Sequence, residues 1–243
     1  MKSSLSVAAL FLTTLGLSTL APIASADDLQ PFVATYQVFH DGHQLGDATM
    51  QFSQLDSPRW RIDLGMKGRG LMRVTGLNLQ QSTLFDSNGA NFRPLSQSTV
   101  KRAFLSSRKT VGVYDWNARS ARWTGDVKKT RTAPVALQDG DMSGLLIDLA
   151  VIRDAEPGRT LHYRFVDDGR AREHIWVVAP QTEGISVGDL SYDAMRVERI
   201  EDGGDQTVLW VARGVPTPIR ILQREDGQDA TDLRLIEYKG ASQ

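Results

Sequence analysis

The chain has 243 residues, no cysteine, 23% charged residues and a formal net charge of −1 at pH 7. The missing thiol excludes cysteine nucleophiles, iron–sulfur clusters, cysteine-ligated zinc and a lipid-bearing N-terminal cysteine. Charge balances overall but not along the chain: residues 27–58 hold five acids and no Lys or Arg, 59–131 hold fifteen Lys/Arg against four acids, and 132–243 hold twelve against twenty.

Residues 1–26 have the layout of a secretion signal. Lys2 gives a positive start, Leu5 to Leu20 is apolar with scattered Ser and Thr, and Ala24-Ser25-Ala26 offers small residues at the positions a signal peptidase reads. The run is too short and too rich in Ser/Thr for a membrane span of about 20 apolar residues. Cleavage is therefore expected between Ala26 and Asp27, leaving a periplasmic protein that does not span the membrane. Residues 27–243 are expected to form a single β-rich domain, long enough to bury a core without disulfides.

After the signal, strand-sized pieces follow one another. In "FVATYQVFHDGHQLGDATMQF", Ala34, Tyr36 and Val38 alternate with Thr35 and Gln37, and Asp41-Gly42 suits a two-residue type I′ hairpin turn. "RWRIDLGMKGRG" and "LNLQQSTLFD" come next, with Gly65, Gly68 and Gly70 suggesting bulges or close backbone approach. "RPLSQSTVKRAF", "RKTVGVYDW" and "SARWTGDV" read as further strands. From Met142 to Ile152 the period changes. Met142, Leu145, Leu146, Leu149 and Ile152 follow helical spacing, and Ile147, Ala150 and Val151 make the segment apolar nearly all round, so the helix must be enclosed. Asp141 is the expected N-cap and Glu156-Pro157-Gly158 the stop. Strands then resume through "RTLHYRFVD", "REHIWVVAP", "ISVGDLSYDAMRVERI", "TVLWVA", "IRILQRED" and "TDLRLIEYK", with Asp-Gly turn signals between several of them. The expected fold is mainly β: an antiparallel open barrel or β-roll of about a dozen strands enclosing one apolar helix at about 142–153.

Three stretches carry a family resemblance. Tyr36, Val38, Asp41-Gly42 and Gly46-Asp47-Ala48 form an opening hairpin, Asp141 to Leu145 leads into the apolar helix, and "LWVARGVPTPIRILQREDG" closes the chain. Together they resemble the bacterial exported family called domain of unknown function 3108, over about Phe32 to Lys239. The resemblance implies export and a β-rich architecture but no catalytic residue. More distantly, and by architecture only, the pattern is similar to lipoprotein carriers, whose curved half-barrel covers a helix and holds acyl chains.

Motifs of enzyme chemistry are missing. A nucleophile elbow needs Gly-x-Ser-x-Gly, but Ser143 has Asp141 and Leu145 at the glycine places. His40 and His43 flank the Asp41-Gly42 turn, which explains their spacing without a metal, and no third ligand falls in register. His162 and His174 are expected to face each other across a hairpin. The acids cluster in turns, and no phosphate loop, dinucleotide fingerprint or zinc-protease helix is present. No catalytic residue, metal or cofactor is expected.

The basic block is the distinctive feature. Along "VKRAFLSSRKTVGVYDW", Arg102 and Arg108 fall at even positions with Phe104 and Tyr114, and Lys101 and Lys109 at odd positions with Leu105 and Val111. Both sets cannot be outside, so some stems run along a groove and send their charges to water. Lys67, Arg69 and Arg73 precede them, and Lys128, Lys129 and Arg131 follow. In a periplasm the anionic partners are lipid phosphates, lipopolysaccharide cores and acidic glycans, with nucleic acid excluded by location. The expected ligand site therefore joins Lys101, Arg102, Arg108, Lys109, Lys67 and Arg69 to an apolar wall of Leu71, Met72, Leu77 and Leu79. The alternatives are edge lysines that only prevent strand-to-strand aggregation, an envelope protein-binding module whose helix fills the interior and whose "ARGVPTPI" loop is exposed, and a hydrolase built from scattered Asp, His and Ser.

Overall fold

The computed structural model describes residues 29–70, 78–88, 91–103, 106–201 and 203–240. The segment read as a secretion signal, with Leu71, Met72, Arg73 and Leu77, lies outside these residues. The strands are Phe32–His40 (β1), His43–Gln54 (β2), Arg59–Gly68 (β3), Asn78–Ser87 (β4), Phe92–Ala103 (β5), Ser106–Asp115 (β6), Ser120–Gly125 (β7) and Val135–Ala136 (β8). After these come Asp141–Met142 (β9), the helix Gly144–Asp154 (α1), Thr160–Asp167 (β10), Arg170–Val187 (β11), Leu190–Ile200 (β12), Gln206–Ala212 (β13), Arg220–Glu225 (β14) and Gln228–Gly240 (β15).

All fifteen strands belong to one sheet, in the order β8-β7-β6-β5-β4-β3-β2-β1-β15-β14-β13-β12-β11-β10-β9, which is not closed. The chain thus meanders outward from β1 to one edge, steps across to the other, and meanders back until β15 pairs with β1. Among the described residues the one parallel pairing is β9 with β10, and α1 is the crossover that a parallel pair requires. Two of the three strands beyond the expected dozen, β8 and β9, are two-residue edges, too short to template another chain.

The turn chemistry is as the sequence indicates. Asp41 and Gly42 take φ 47° and 76°, the left-handed pair that a type I′ turn needs, and Asp168-Gly169 and Asp226-Gly227 repeat it. Gly65 and Gly68 make no bulge: the β2/β3 ladder runs in unbroken register through both, and the β3/β4 ladder through Gly65. The bulges lie elsewhere. One, between Val178 and Thr182, lets β11 pass through Pro180 and run on for 18 residues to Val187, so the segment read as one strand over 185–200 is split by a hairpin turn between β11 and β12.

Alternation places Phe32, Ala34 and Tyr36 of β1, Ala48, Met50 and Phe52 of β2, and Trp60, Ile62 and Leu64 of β3 in the main core. Leu145, Leu146, Ile147, Leu149, Ala150 and Val151 of α1 join it. The continuously apolar Val208–Ala212 is continuously buried. A smaller cluster of Tyr114, Ala121, Trp123, Leu137 and Val166 lies beside it. There side chains span the gap that the sheet leaves: the Tyr114 hydroxyl donates to the Val166 carbonyl (2.6 Å), Gln97 donates to Asp167, and Arg131 pairs with Asp168.

Three sequence expectations are corrected. The N-cap of α1 is Ser143, not Asp141, and the helix spans 144–154. Asp141 sits in β9 with no exposed surface, accepts from Arg164 Nη1 at 2.6 and 2.7 Å and from the Gln138 amide at 2.8 Å, and is therefore committed to an ion pair. His162 and His174 do not face each other: His162 opposes Ile175 and Tyr163 opposes His174, so the two imidazoles point to opposite faces. The "ARGVPTPI" loop is not exposed for recognition, since Val215, Thr217 and Ile219 are buried and the Tyr36 hydroxyl donates to the Pro218 carbonyl at 3.0 Å. His40 and His43 are paired across the β1/β2 ladder, as expected.

Candidate ligand-binding site

The strand registers assemble the site. Residues directly opposed in a ladder share a face, and across β3, β4, β5 and β6 the opposed residues are Met66, Leu79, Lys101 and Arg108. This row faces inward, continuing the buried Leu64 of β3. The adjacent row, Lys67, Asn78, Arg102 and Ser107, takes the other face. Lys101 therefore shares a face with Arg108, not with Lys109. The odd/even grouping holds along one strand only, and the chain reverses between Ala103 and Ser106, which exchanges parity between the paired strands.

At the end of the barrel where these rows terminate lies a chamber of about 610 Å³. Val38, Phe39, Leu45, Met66 and Leu79 form its apolar wall, and Lys67, Lys101, Arg102 and Arg108 stand around it. Arg108 is partly engaged, donating from Nε to the Asp126 carbonyl at 3.0 Å with Nη2 3.7 Å from Asp168. Lys67, Lys101 and Arg102 make no ion pair among the described residues, and all three are exposed. Of the other expected site residues, Arg69 is paired with Asp47 and does not line the chamber. Lys109 lies on the outer face, its backbone amide donating to Asp126. Leu71 and Met72 lie outside the described residues.

A second chamber of about 270 Å³ lies deeper, and Met66, Leu79 and Lys101 line both. One of its walls is the first half of α1, with Leu145, Ile147 and Asp148. Another is a polar row across β11 to β14 made by the opposed Trp176, Arg199, Thr207 and Gln223. The helix therefore does not fill the barrel.

Burial shapes the chemistry of this inner chamber. It pushes the Asp148 carboxyl up to about 7, with the positive charge of Arg199 opposing the shift. Asp148 keeps a partial opening, but onto the chamber. His174, stacked on Phe165 at 4.5 Å, is held down to about 4 by burial first and then by Arg199 and Arg172. Asp167 is also raised by burial. The Trp176 indole N–H is buried with no hydrogen-bond partner. Ser143, the one serine in a helix-entry position, is buried and bonded to the Thr83 hydroxyl at 2.9 Å. Sequence reasoning passed over Asp148, Trp176 and Arg199, and took His174 only as a cross-strand partner of His162. The signal for Asp148 was present, because an acid in the middle of a helix apolar on every side has to face something polar inside the protein.

The fold is shared with a solved structure. The chain is similar to a beta-barrel-like protein of domain of unknown function DUF1849 from Brucella abortus, with TM-score 0.57 and 12% identity over 88% of this chain and 99% of that one. A second similarity, to MucB, has TM-score 0.31 and 10% identity, covering 89% of this chain and 55% of that one. No curated protein sequence matches the chain. The residues that form the rows and both chambers fall within 32–233, the span that matches the family described as protein of unknown function DUF3108, and the chain belongs to that family.

Proposed function

We propose that this is a non-enzymatic protein of the cell envelope that binds an anionic amphiphile. The apolar part of the ligand lies against Val38, Phe39, Leu45, Met66 and Leu79, and its charged group meets Lys101 and Arg108, with Lys67 and Arg102 at the rim. The observation that carries this reading is the single inward row in which two apolar residues are followed by two cations. An amphiphile has the same order of chemistry along its length. The volume of about 610 Å³ falls within the usual ligand range of about 300–1,000 Å³. Export of the mature chain to the periplasm, expected from residues 1–26, gives it access to such molecules.

The test is binding of the purified mature protein to vesicles of phosphatidylglycerol and of phosphatidylcholine, with and without the double substitution Lys101→Glu/Arg108→Glu. Binding to the anionic vesicles is expected, with a loss of at least about tenfold, about 1.4 kcal/mol, in the variant. Equal binding of the two lipids, or a variant that binds like the parent, overturns the reading.

A further inference from the structure

The inner chamber holds polar groups that nothing in the protein satisfies. The Trp176 N–H is buried and unpartnered, although its residue is only 2% exposed. No hydrogen bond or ion pair from the described residues reaches the Asp148 carboxyl, and neither ring nitrogen of His174 is bonded. Buried polar groups are nearly always paired, yet the Trp176 N–H is not, and the partly buried Asp148 and His174 line the same chamber with unused hydrogen-bonding capacity, so the chamber is fitted to a polar group that enters it.

The charge balance narrows what enters. His174 is neutral at ordinary pH, and Arg199 is paired with Glu201. A free cation would meet Arg199 and Lys101 in the lining, where burial shifts the two carboxyls, Asp148 and Asp167, towards the protonated form, and a fully charged anion would find an unpaired cation only at Lys101, on the boundary. Gln81, Ser98, Thr99, Thr207 and Gln223 add amides and hydroxyls that both donate and accept. An uncharged group bearing several hydroxyls, each of which also donates and accepts, matches this lining. The volume of about 270 Å³ is close to the lower end of ligand pockets and suits a six-membered ring. Two cavity walls then fix the order of the ligand. The inner chamber meets the outer one at Met66, Leu79 and Lys101, so a molecule lying through both presents, in sequence, a hydroxylated ring, an anionic group at Lys101 and Arg108, and an apolar chain.

We infer that the ligand class is a ring-bearing polyol phosphate, with its uncharged hydroxylated ring held in the inner chamber by Trp176, Asp148 and His174 and its phosphate at Lys101. This rests on the amphiphile reading above and deepens it. The shared chemistry is the polyol ring joined to a phosphate, and its source is either a lipid-linked form or a soluble sugar phosphate.

The experiment compares three probes by calorimetry on the mature protein: dioctanoyl phosphatidylinositol, dioctanoyl phosphatidic acid, which has the phosphate and chains but no ring, and soluble inositol 1-phosphate. Phosphatidylinositol is expected to bind at least about tenfold more tightly than phosphatidic acid. Trp176→Phe, which keeps the ring and deletes the N–H, should bring that ratio towards one while leaving phosphatidic acid affinity unchanged. The near-isosteric Asp148→Leu, which deletes the carboxyl's donor and acceptors, provides a second variant should Trp176→Phe fold poorly, and is expected to act in the same direction. Equal affinity for the two lipids overturns this inference and leaves the amphiphile reading standing. No binding of either lipid, with none of inositol 1-phosphate, overturns both. Inositol 1-phosphate bound as tightly as its lipid supports the inner site and assigns its source to soluble phosphates; a large advantage for the lipid supports it and assigns the source to the membrane.

Discussion

The two chambers meet at Met66, Leu79 and Lys101, yet they handle charge in opposite ways. The outer chamber is an apolar wall with unpaired cations at its rim, where the long stems of Lys and Arg let the charges reach water. The inner chamber lies against α1, and its ionisable groups are either shifted towards neutrality by burial, like Asp148 and His174, or paired, like Arg199 with Glu201. The difference follows from the cost of removing a charge from water: several kcal/mol per ion inside, little at a strand end. One barrel thus offers two environments along one axis, set by how far each row lies from the opening.

The sharpest way to break this contrast is to leave a charge unpaired inside. Asp141 is fully enclosed and paired with Arg164, whose side chain is 20% exposed. Asp141→Ala removes the near carboxylate from the Arg164 guanidinium, leaving it only the Glu173 carboxylate at 4.0 Å, and also removes an acceptor from the Gln138 amide. A loss of about 3–5 kcal/mol in unfolding free energy is expected, as for other broken buried pairs. Urea denaturation measures it, and Asp141→Leu combined with Arg164→Met should recover part of the loss. A single-variant loss under about 1 kcal/mol contradicts the account of what an unpaired charge costs in the interior of this protein.

Next in size is the dependence on pH. Asp148 holds its proton in the folded state up to about pH 7 but releases it near the ordinary carboxylate value when unfolded. Between about pH 4 and 7 the folded state therefore binds the extra proton, and stability falls as pH rises. His174 does the reverse. Its folded value of about 4 lies below the unfolded 6.5, so over about pH 4 to 6.5 the unfolded state binds the extra proton and stability rises with pH. Each group alone gives a slope of at most about 1.4 kcal/mol per pH unit, and in the parent protein the two nearly cancel. Asp148→Asn should expose the rising slope and His174→Gln the falling one, each amounting to about 2 kcal/mol over the window once the chamber's residual solvation is allowed for. Variants whose profiles both parallel the parent would show that neither group is desolvated.

How far the sequence reveals this arrangement depends on whether a signal is local. Asp41-Gly42 and the alternation of Ala34, Tyr36 and Val38 are local, and the β1/β2 hairpin follows from them. The helix is equally plain, because nothing but an enclosed segment is apolar at Leu145, Leu146, Ile147, Leu149 and Val151 together. Its first residue is less so: Asp141 reads as the cap, but its carboxylate is taken by Arg164, 23 positions away, and the helix starts after Ser143. The cations were legible as a group, but their faces were not, since Lys101 and Arg108 come together only through the register of a hairpin. Trp176 and Arg199 are likewise ordinary strand residues until β11 and β12 pair. The inner chamber was the least legible part, because its lining comes from strands at both ends of the chain and side-chain types do not reveal where space is left between them.

The smallest expected effect separates cations that belong to the site from those that merely lie near it in sequence. Arg69 and Lys109 come from the same basic block as Lys67 and Arg108, but Arg69 is 64% exposed and held by Asp47, and Lys109 projects from the outer face. An exposed ion pair contributes about 0–1 kcal/mol. Arg69→Ala and Lys109→Ala should therefore each change stability by less than about 0.5 kcal/mol and leave affinity for phosphatidylglycerol vesicles within about twofold of the parent at physiological salt, where charges beyond about 8 Å are largely screened. Lys101→Ala, a single charge removed from the junction of the two chambers, should cost more than either. If all three substitutions weaken vesicle binding equally, the protein is reading total positive charge and not the inward row. In that case the distinction between rim and interior has no bearing on the ligand.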